Sequence, residues 1–227
     1  MSVAASEFRA VVKQLVVRRG SRTVVSGFEL VATAGEVVGI VGKNGCGKST
    51  LLMAIAGVLA PTEGQITIAG HDVWGTRRHR TLARRALGYV PEGADPPGFL
   101  LGGELWALVS AAREGAVASP ELVTALGLAE LRDLALERMS LGQRRRAVIG
   151  AAWIGEPSLL VLDEPDNGLD ARHAETLVEL LKTHTARNGV AIVATHDRGL
   201  LERVNARVVE LQAAAATCGA TAAEPAG

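Results

Sequence analysis

The chain has 227 residues, 48% of them apolar, with Lys plus Arg and Asp plus Glu equal at 24 each. That is enough for one large domain with an ample core, and a formal net charge of zero argues against a basic surface for nucleic acid, so no nucleic-acid partner is expected. No window approaches the roughly 18 uninterrupted apolar residues of a spanning helix, so any pore must come from other chains.

Met1 to Arg9 include Glu7 and lack an apolar segment of signal-peptide length, so no secretory leader is expected. Val11 to Val17 and Arg22 to Ala32 are β-branched runs, with Arg18-Arg19-Gly20-Ser21 as a hairpin turn between them. Val37 to Val41 is a buried strand, followed by a glycine-rich loop and a helix to about Leu59, with Leu51, Leu52, Ile55 and Ala56 on its buried side. Pro61 and Gly64 end that helix region, and Gln65 to Ala69 alternates as a strand. Thr76 to Ala86 is a basic helical stretch. Its Arg77-Arg78-His79-Arg80 run, with Arg84 and Arg85, reads as a solvated face. Leu87 to Val90 is a short strand that stops at Pro91.

From Glu92 the pattern changes. Gly93 to Gly98 is a loop by composition. Leu101 to Arg113, Ser119 to Leu126 and Leu128 to Leu136 read as short helices, and Leu141 to Ile154 as a longer one. Pro157 closes this helical block. Leu159 to Leu162 is a continuous apolar strand of the buried parallel kind. Ala171 to Arg187 is amphipathic, with Ala174, Leu177, Val178 and Leu181 at helical spacing. Val190 to Thr195, Arg198 to Val204 and Arg207 to Leu211 follow as strand, helix and strand. Residues 213–227 are Ala- and Thr-rich with little to bury, and are expected to form a flexible tail. The expected plan is α/β: a parallel-sheet core with an antiparallel β flank and an inserted helical subdomain. Residues 1–212 would form one domain, with core 7–91 and 157–212 and the insert at about 92–156.

The loop Gly42-Lys43-Asn44-Gly45-Cys46-Gly47-Lys48-Ser49-Thr50 has the spacing G-x-x-x-x-G-K-[ST] directly after a strand. Its small residues let successive backbone N–H groups turn inward onto the oxygens of a polyphosphate. Lys48 supplies a point charge for the β and γ phosphates, and Ser49 a hydroxyl for Mg²⁺. The helix that follows aims its positive dipole end at the same anion. A P-loop site for a nucleoside triphosphate is therefore expected. Leu159-Leu160-Val161-Leu162-Asp163-Glu164 is a buried strand ending in two carboxylates. Downstream of such a loop, Asp163 is placed to hold Mg²⁺ through a water and Glu164 to polarise an attacking water. Cys46 lies in the phosphate loop and Cys218 far from it, so a disulfide is not expected and a reducing cytosol is.

About twenty residues before that strand stands Met139-Ser140-Leu141-Gly142-Gln143, followed by Arg144-Arg145-Arg146. Ser140-x-x-Gln143 is a helix capping box. Taken with the two motifs above, it also resembles the signature of the ABC-transporter ATPases, commonly Leu-Ser-Gly-Gly-Gln. Ser140, Gly142 and Gln143 match, Met139 stands for Leu, and Leu141 replaces the first Gly while leaving its backbone N–H in place. The resemblance implies that Ser140, Leu141, Gly142 and Gln143 contact the ATP of a partner protomer. Pro165-Asp166-Asn167-Gly168-Leu169-Asp170 is similar to the family's D-loop, with Asp170 as its acidic end. His196, in Thr195-His196-Asp197, stands where the family's switch histidine contacts the γ-phosphate. Gly88-Tyr89-Val90-Pro91-Glu92 occupies the place of the Q-loop, with Glu92 in place of glutamine as a metal-sensing hinge. The resemblance covers roughly residues 8 to 211, with its motifs in family order.

Members of that family often place an aromatic before the first hairpin turn to stack on adenine; none stands here, and Arg19 or Arg18 either lays a planar guanidinium on the base or is a solvated turn residue. Arg18 to Val25 also look similar to the haem-exporter ATP-binding subunit, but the Glu92 region follows it less well and haem is not assigned. Pro-Glu at the joint, Ser-Leu-Gly in the signature and Asn-Gly-Leu-Asp in the D-loop are similar to separate-chain exporters. The resemblance therefore implies an ATP-hydrolysing subunit with ATP and Mg²⁺, paired as a homodimer or heterodimer. It would sit on the cytoplasmic face of a membrane against integral permease subunits and drive export. The alternative is a soluble ABC-type ATPase without a pore. Such proteins usually carry two ATPase units or a long coiled-coil or zinc insert, which this sequence lacks.

Overall fold

The computed structural model describes residues 8–93 and 96–213. Two sheets organise it. Strands β1 (Phe8–Arg19), β2 (Arg22–Thr33), β4 (Glu63–Ile68) and β5 (His71–Asp72) form an antiparallel sheet in the order β2-β1-β4-β5. Strands β3 (Val37–Val41), β6 (Leu87–Val90), β7 (Leu159–Asp163), β8 (Val190–Ala194) and β9 (Arg207–Glu210) form a second sheet in the order β6-β7-β8-β3-β9. All its pairings are parallel, with Asp163 opposite Ala194 and Ile40 opposite Ala194. The expected parallel core with an antiparallel flank is present.

The apolar strands sit at the centre because both faces of the parallel sheet are covered. Along β7, Leu159 and Val161 pack toward the antiparallel sheet and helix α1 (Lys48–Ile55), while Leu160 and Leu162 pack toward the helical side. β8 alternates in the same way: Val190, Ile192 and Ala194 face one cluster, Ala191 and Val193 the other. Each strand thus serves two cores, as its two-residue period dictates.

Between β6 and β7 lie α3 (Gly102–Ala112), α4 (Pro120–Ala125) and α5 (Leu141–Trp153). Helix α2 (Arg77–Arg85) precedes β6, and its arginines are exposed, as expected of a solvated face. Helices α6 (Ala171–Ala186) and α7 (Arg198–Arg203) flank β8. Three expectations are corrected. The helix predicted to run to Leu59 ends at Ile55, because Gly57 takes φ 70° and breaks the ladder. The helix expected over Leu128–Leu136 is two single 3₁₀ turns, Ala129–Leu131 and Leu136–Arg138, and Leu128, Leu131 and Leu136 are buried in the cluster on the helical side of the sheet, with Leu128 against Gly150 of α5. The strand expected over Gln65–Ala69 is β4, since Ala69 turns at φ 48° toward the unforeseen short β5. Among the described residues no helix is long and apolar enough to cross a membrane. The expected tail and Cys218 lie outside the described residues.

Candidate functional site at the strand ends

The carboxyl ends of β3, β6, β7 and β8 converge on one cavity of about 410 Å³, which sits against β2 at Val24. Its lining includes Asn44, Gly45, Gly47, Lys48, Ser49 and Thr50 from the loop and α1, with Glu92, Glu164 and His196 from three other elements.

Gly47 is the N-cap of α1 at φ 111°, and a Cβ there would stand 2.8 Å from Val24 Cγ1. Only glycine fits that turn. It offers no capping side chain, so the first amides of α1 face the cavity side without a side-chain acceptor. Lys48 is only 8% exposed, and its Nζ donates to the Gly42 carbonyl at 3.1 Å, closing the loop on itself. An inward-facing cation above helix amides is an anion cradle. Cys46 is buried and has a free thiol.

Asp163 ends β7 and is 1% exposed. Burial raises the pKa of its carboxyl, a Ser49 hydrogen bond opposes the rise, and the Glu92 charge adds to it. Its Oδ1 is buried without a hydrogen-bond partner. Ser49 Oγ also donates to Glu92 Oε2 at 3.3 Å. An orphaned carboxylate oxygen beside a hydroxyl and a second carboxylate is a hard-oxygen donor set, so the residues fit Mg²⁺. Asp163 and Glu92 also carry the charge such an ion would offset. Burial, helped by the Asp163 charge, pushes the nearby Tyr89 phenol up to about 12.

Glu164 follows in an unusual backbone state, φ 45°, which costs a non-glycine residue about 1–2 kcal/mol. Its N–H donates to Ala194 O at 2.8 Å, tying it to the end of β8. The turn aims its carboxylate at His196: His196 N donates to Oε2 at 3.2 Å, and Nε2 lies 3.2 Å from Oε1. Burial raises the Glu164 pKa, and the His196 N–H partly pulls it back. A raised pKa suits a proton acceptor working near neutrality. Thr195 Oγ1 donates to Asp166 Oδ1 at 2.8 Å, bracing the same strand end.

Other residues singled out by the sequence lie elsewhere. Ser140 caps α5 in the expected capping box: Gln143 N donates to Ser140 Oγ at 3.2 Å, and Ser140 N to Gln143 Oε1 at 2.9 Å. Leu141 is 70% exposed, and neither it nor Ser140 lines the cavity. Gly142 packs on the Gly168 carbonyl, where a Cβ would come within 2.7 Å. Asp170 caps α6, accepting from His173 N at 2.8 Å, and that bond lowers its pKa. Arg19 is exposed and donates to Met53 Sδ at 3.6 Å. Arg145 lies on the helix expected from Leu141 to Ile154, where the sequence alone gives it no task. It is 5% exposed and donates to the carbonyls of Pro91 and Asp163, each at 2.8 Å. The available signal was its position against Ala147-Val148-Ile149, inside a helix buried on every side from Arg145 onward.

The chain is similar to known proteins. The family model described as "ABC transporter" matches residues 25–167. The chain is similar to the cytochrome c biogenesis ATP-binding export protein CcmA of Nitrosococcus oceani, with 31% identity over 205 residues, 90% of this chain and 93% of that protein. It is also similar to the hemin import ATP-binding protein HmuV of Pseudomonas aeruginosa, with 34% identity over 213 residues, 88% of this chain and 82% of that protein. A solved structure described as the ATP binding subunit of an ABC transporter superposes with a TM-score of 0.82 at 27% identity, covering 90% of this chain and 86% of that one.

Proposed function

The chain belongs to the ABC transporter family as an ATP-binding, ATP-hydrolysing subunit, and we propose that it powers export through separate transmembrane subunits. The observation that carries the site assignment is the cavity itself. Loop, Ser49, Glu92, Glu164 and His196 meet there, while the Ser140 cap lies outside it. An ATP held by the loop needs a second signature from another copy or a relative, so the working unit is a dimer enclosing two ATP molecules.

Residues 42–50 hold the phosphates, with Lys48 countering the β and γ charges. Ser49, Asp163 and Glu92 hold Mg²⁺, which when bound neutralises charge on the phosphate oxygens. Glu164 takes the proton of the attacking water, and His196 orients that carboxylate and reaches the γ-phosphate. Ser140 to Gln143 present capped-helix amides to the partner's nucleotide, and Asp170 holds the D-loop end against α6. Arg19 lies beside the adenine. The permease docks on the insert near Glu92 to Leu101, on the cytoplasmic face.

Export is supported by the signature, joint and D-loop variants and by the named role of the Nitrosococcus relative, whereas the Pseudomonas relative is named for import. Co-expressed with its permease, the chain is expected to pellet with membranes and wash off in chaotrope. Inside-out vesicles should then accumulate cargo on ATP addition. A chain that stays in the supernatant overturns the transport assignment, and uptake only in right-side-out vesicles overturns export.

A further inference from the structure

Two buried cations among the described residues, Arg145 and Arg146, have no part in the proposed reaction; Arg146 turns away to Leu126 O and Glu130, and Arg145 reaches the site. Arg145 stands one turn into α5 and is 5% exposed. A guanidinium has five N–H donors, and here all five meet backbone carbonyls outside its own helix. Nη1 donates to Pro91 O at 2.8 Å and Glu92 O at 3.4 Å. Nη2 donates to Asp163 O at 2.8 Å and to Glu164 O, and Nε donates to Pro165 O at 3.3 Å. Burial pulls the Arg145 pKa down, while the carboxylates of Asp166, Asp163, Glu164 and Glu92 favour the charged form.

These acceptors have a common character. They sit where β6 and β7 end, where a strand's carbonyls run out of ladder partners. Three are consecutive and bracket Glu164, the residue at φ 45°. The other two belong to the joint that carries Glu92. The fork is planar and rigid, so one side chain sets the spacing of both segments from the start of α5. Ser140 caps that same helix start.

We propose that Arg145 is a positioning residue for hydrolysis. It holds Glu164 and Glu92 in register with the Ser140 cap, so a signature drawn onto a partner's nucleotide carries the hydrolytic carboxylate of its own chain with it. This rests on the two-chain reading above. Arg113 provides the comparison. It is a half-buried clamp, donating to Ala152 O at 3.2 Å, to Ile154 O and to Leu87 O at 2.6 Å, but it grips the far end of β6 away from the cavity.

The test measures turnover, ATP affinity and melting temperature for Arg145→Lys, Arg145→Gln and Arg113→Lys. Lysine keeps the charge but not the fork. Arg145→Lys is expected to melt close to Arg113→Lys and bind ATP within about threefold of the unsubstituted chain, yet lose at least about tenfold in kcat with a Hill coefficient near one. Turnover of Arg145→Lys within about threefold of the original, or an equal kcat loss in Arg113→Lys, overturns the proposal. Should neither Arg145 variant fold, hydrogen exchange of the unsubstituted protein decides. Segments 88–93, 140–147 and 159–166 should open at one common rate, and independent rates overturn the coupling. Glu164→Gln run in parallel separates the two readings. If it hydrolyses ATP normally, the base assignment falls whatever Arg145 does.

Discussion

Replacing Glu164 with Gln isolates chemistry from structure unusually well. Both residues tolerate φ 45° equally, so the backbone strain is unchanged. The Gln carbonyl still accepts the His196 N–H now 3.2 Å from Oε2, and its amide can donate to His196 Nε2, now 3.2 Å from Oε1. What is lost is the proton acceptor. A positioned general base contributes about 10²–10⁴ in rate, or about 3–5 kcal/mol of barrier. The effect on stability has the opposite sign. Burial raises the pKa of Glu164 above 4.5, so the fold disfavours the charged form. Its contribution to stability is full below that value and is lost as pH rises through the folded pKa. At neutral pH the amide should therefore leave the melting temperature equal or higher. The assay pairs steady-state ATPase with light scattering in ATP and a thermal melt. The expected result is turnover down at least about a hundredfold, ATP-dependent dimers that persist, and no loss of stability. Turnover within about threefold of the unsubstituted chain would refute the base assignment. A monomer in saturating ATP, even beside its permease, would refute the two-chain site.

Three further outcomes follow from particular contacts. Gly47→Ala must place a Cβ 2.8 Å from Val24 Cγ1 at φ 111°, so it should cost about 1–3 kcal/mol in chemical denaturation and weaken ATP binding by fluorescence titration. Leu162→Ala empties a fully buried position directly before Asp163, and urea unfolding should show a loss of about 2–5 kcal/mol. His184 is half-buried, edge-on to Trp153 with Nε2 3.1 Å from Val190 O, and desolvation lowers its pKa below 6.5. Its neutral form is the folded one, so stability is full above 6.5 and lost as pH falls toward the folded value. Urea midpoints at about pH 5 and 7.5 should differ more in the original chain than in His184→Gln, and equal differences would exclude His184 as the cause.

The parts of the candidate site were legible in the sequence because each of them is local. A strand, six loop residues and a helix start place Lys48 and Ser49 without help from distant chain. An apolar run ending in Asp163-Glu164 announces its own strand end, and Ser140-x-x-Gln143 its own cap. Parallel pairing followed from the same runs, since strands apolar on both faces must be covered on both. Tertiary structure decided what depends on distant segments meeting. It set Asp163 opposite Ala194, which brings Glu164 within reach of His196. It converted the expected helix after Leu128 into two 3₁₀ turns, because burying Leu131 and Leu136 in the core on the helical side of the sheet outweighed local propensity. It also gave Arg145 its place. Arginine is usually a surface residue, and nothing nearby in the chain shows that the carbonyls of 91–92 and 163–165 would converge on it. Local spacing fixes which groups can bind phosphate, but the backbone acceptors that hold those groups in place come together only when the sheet is assembled.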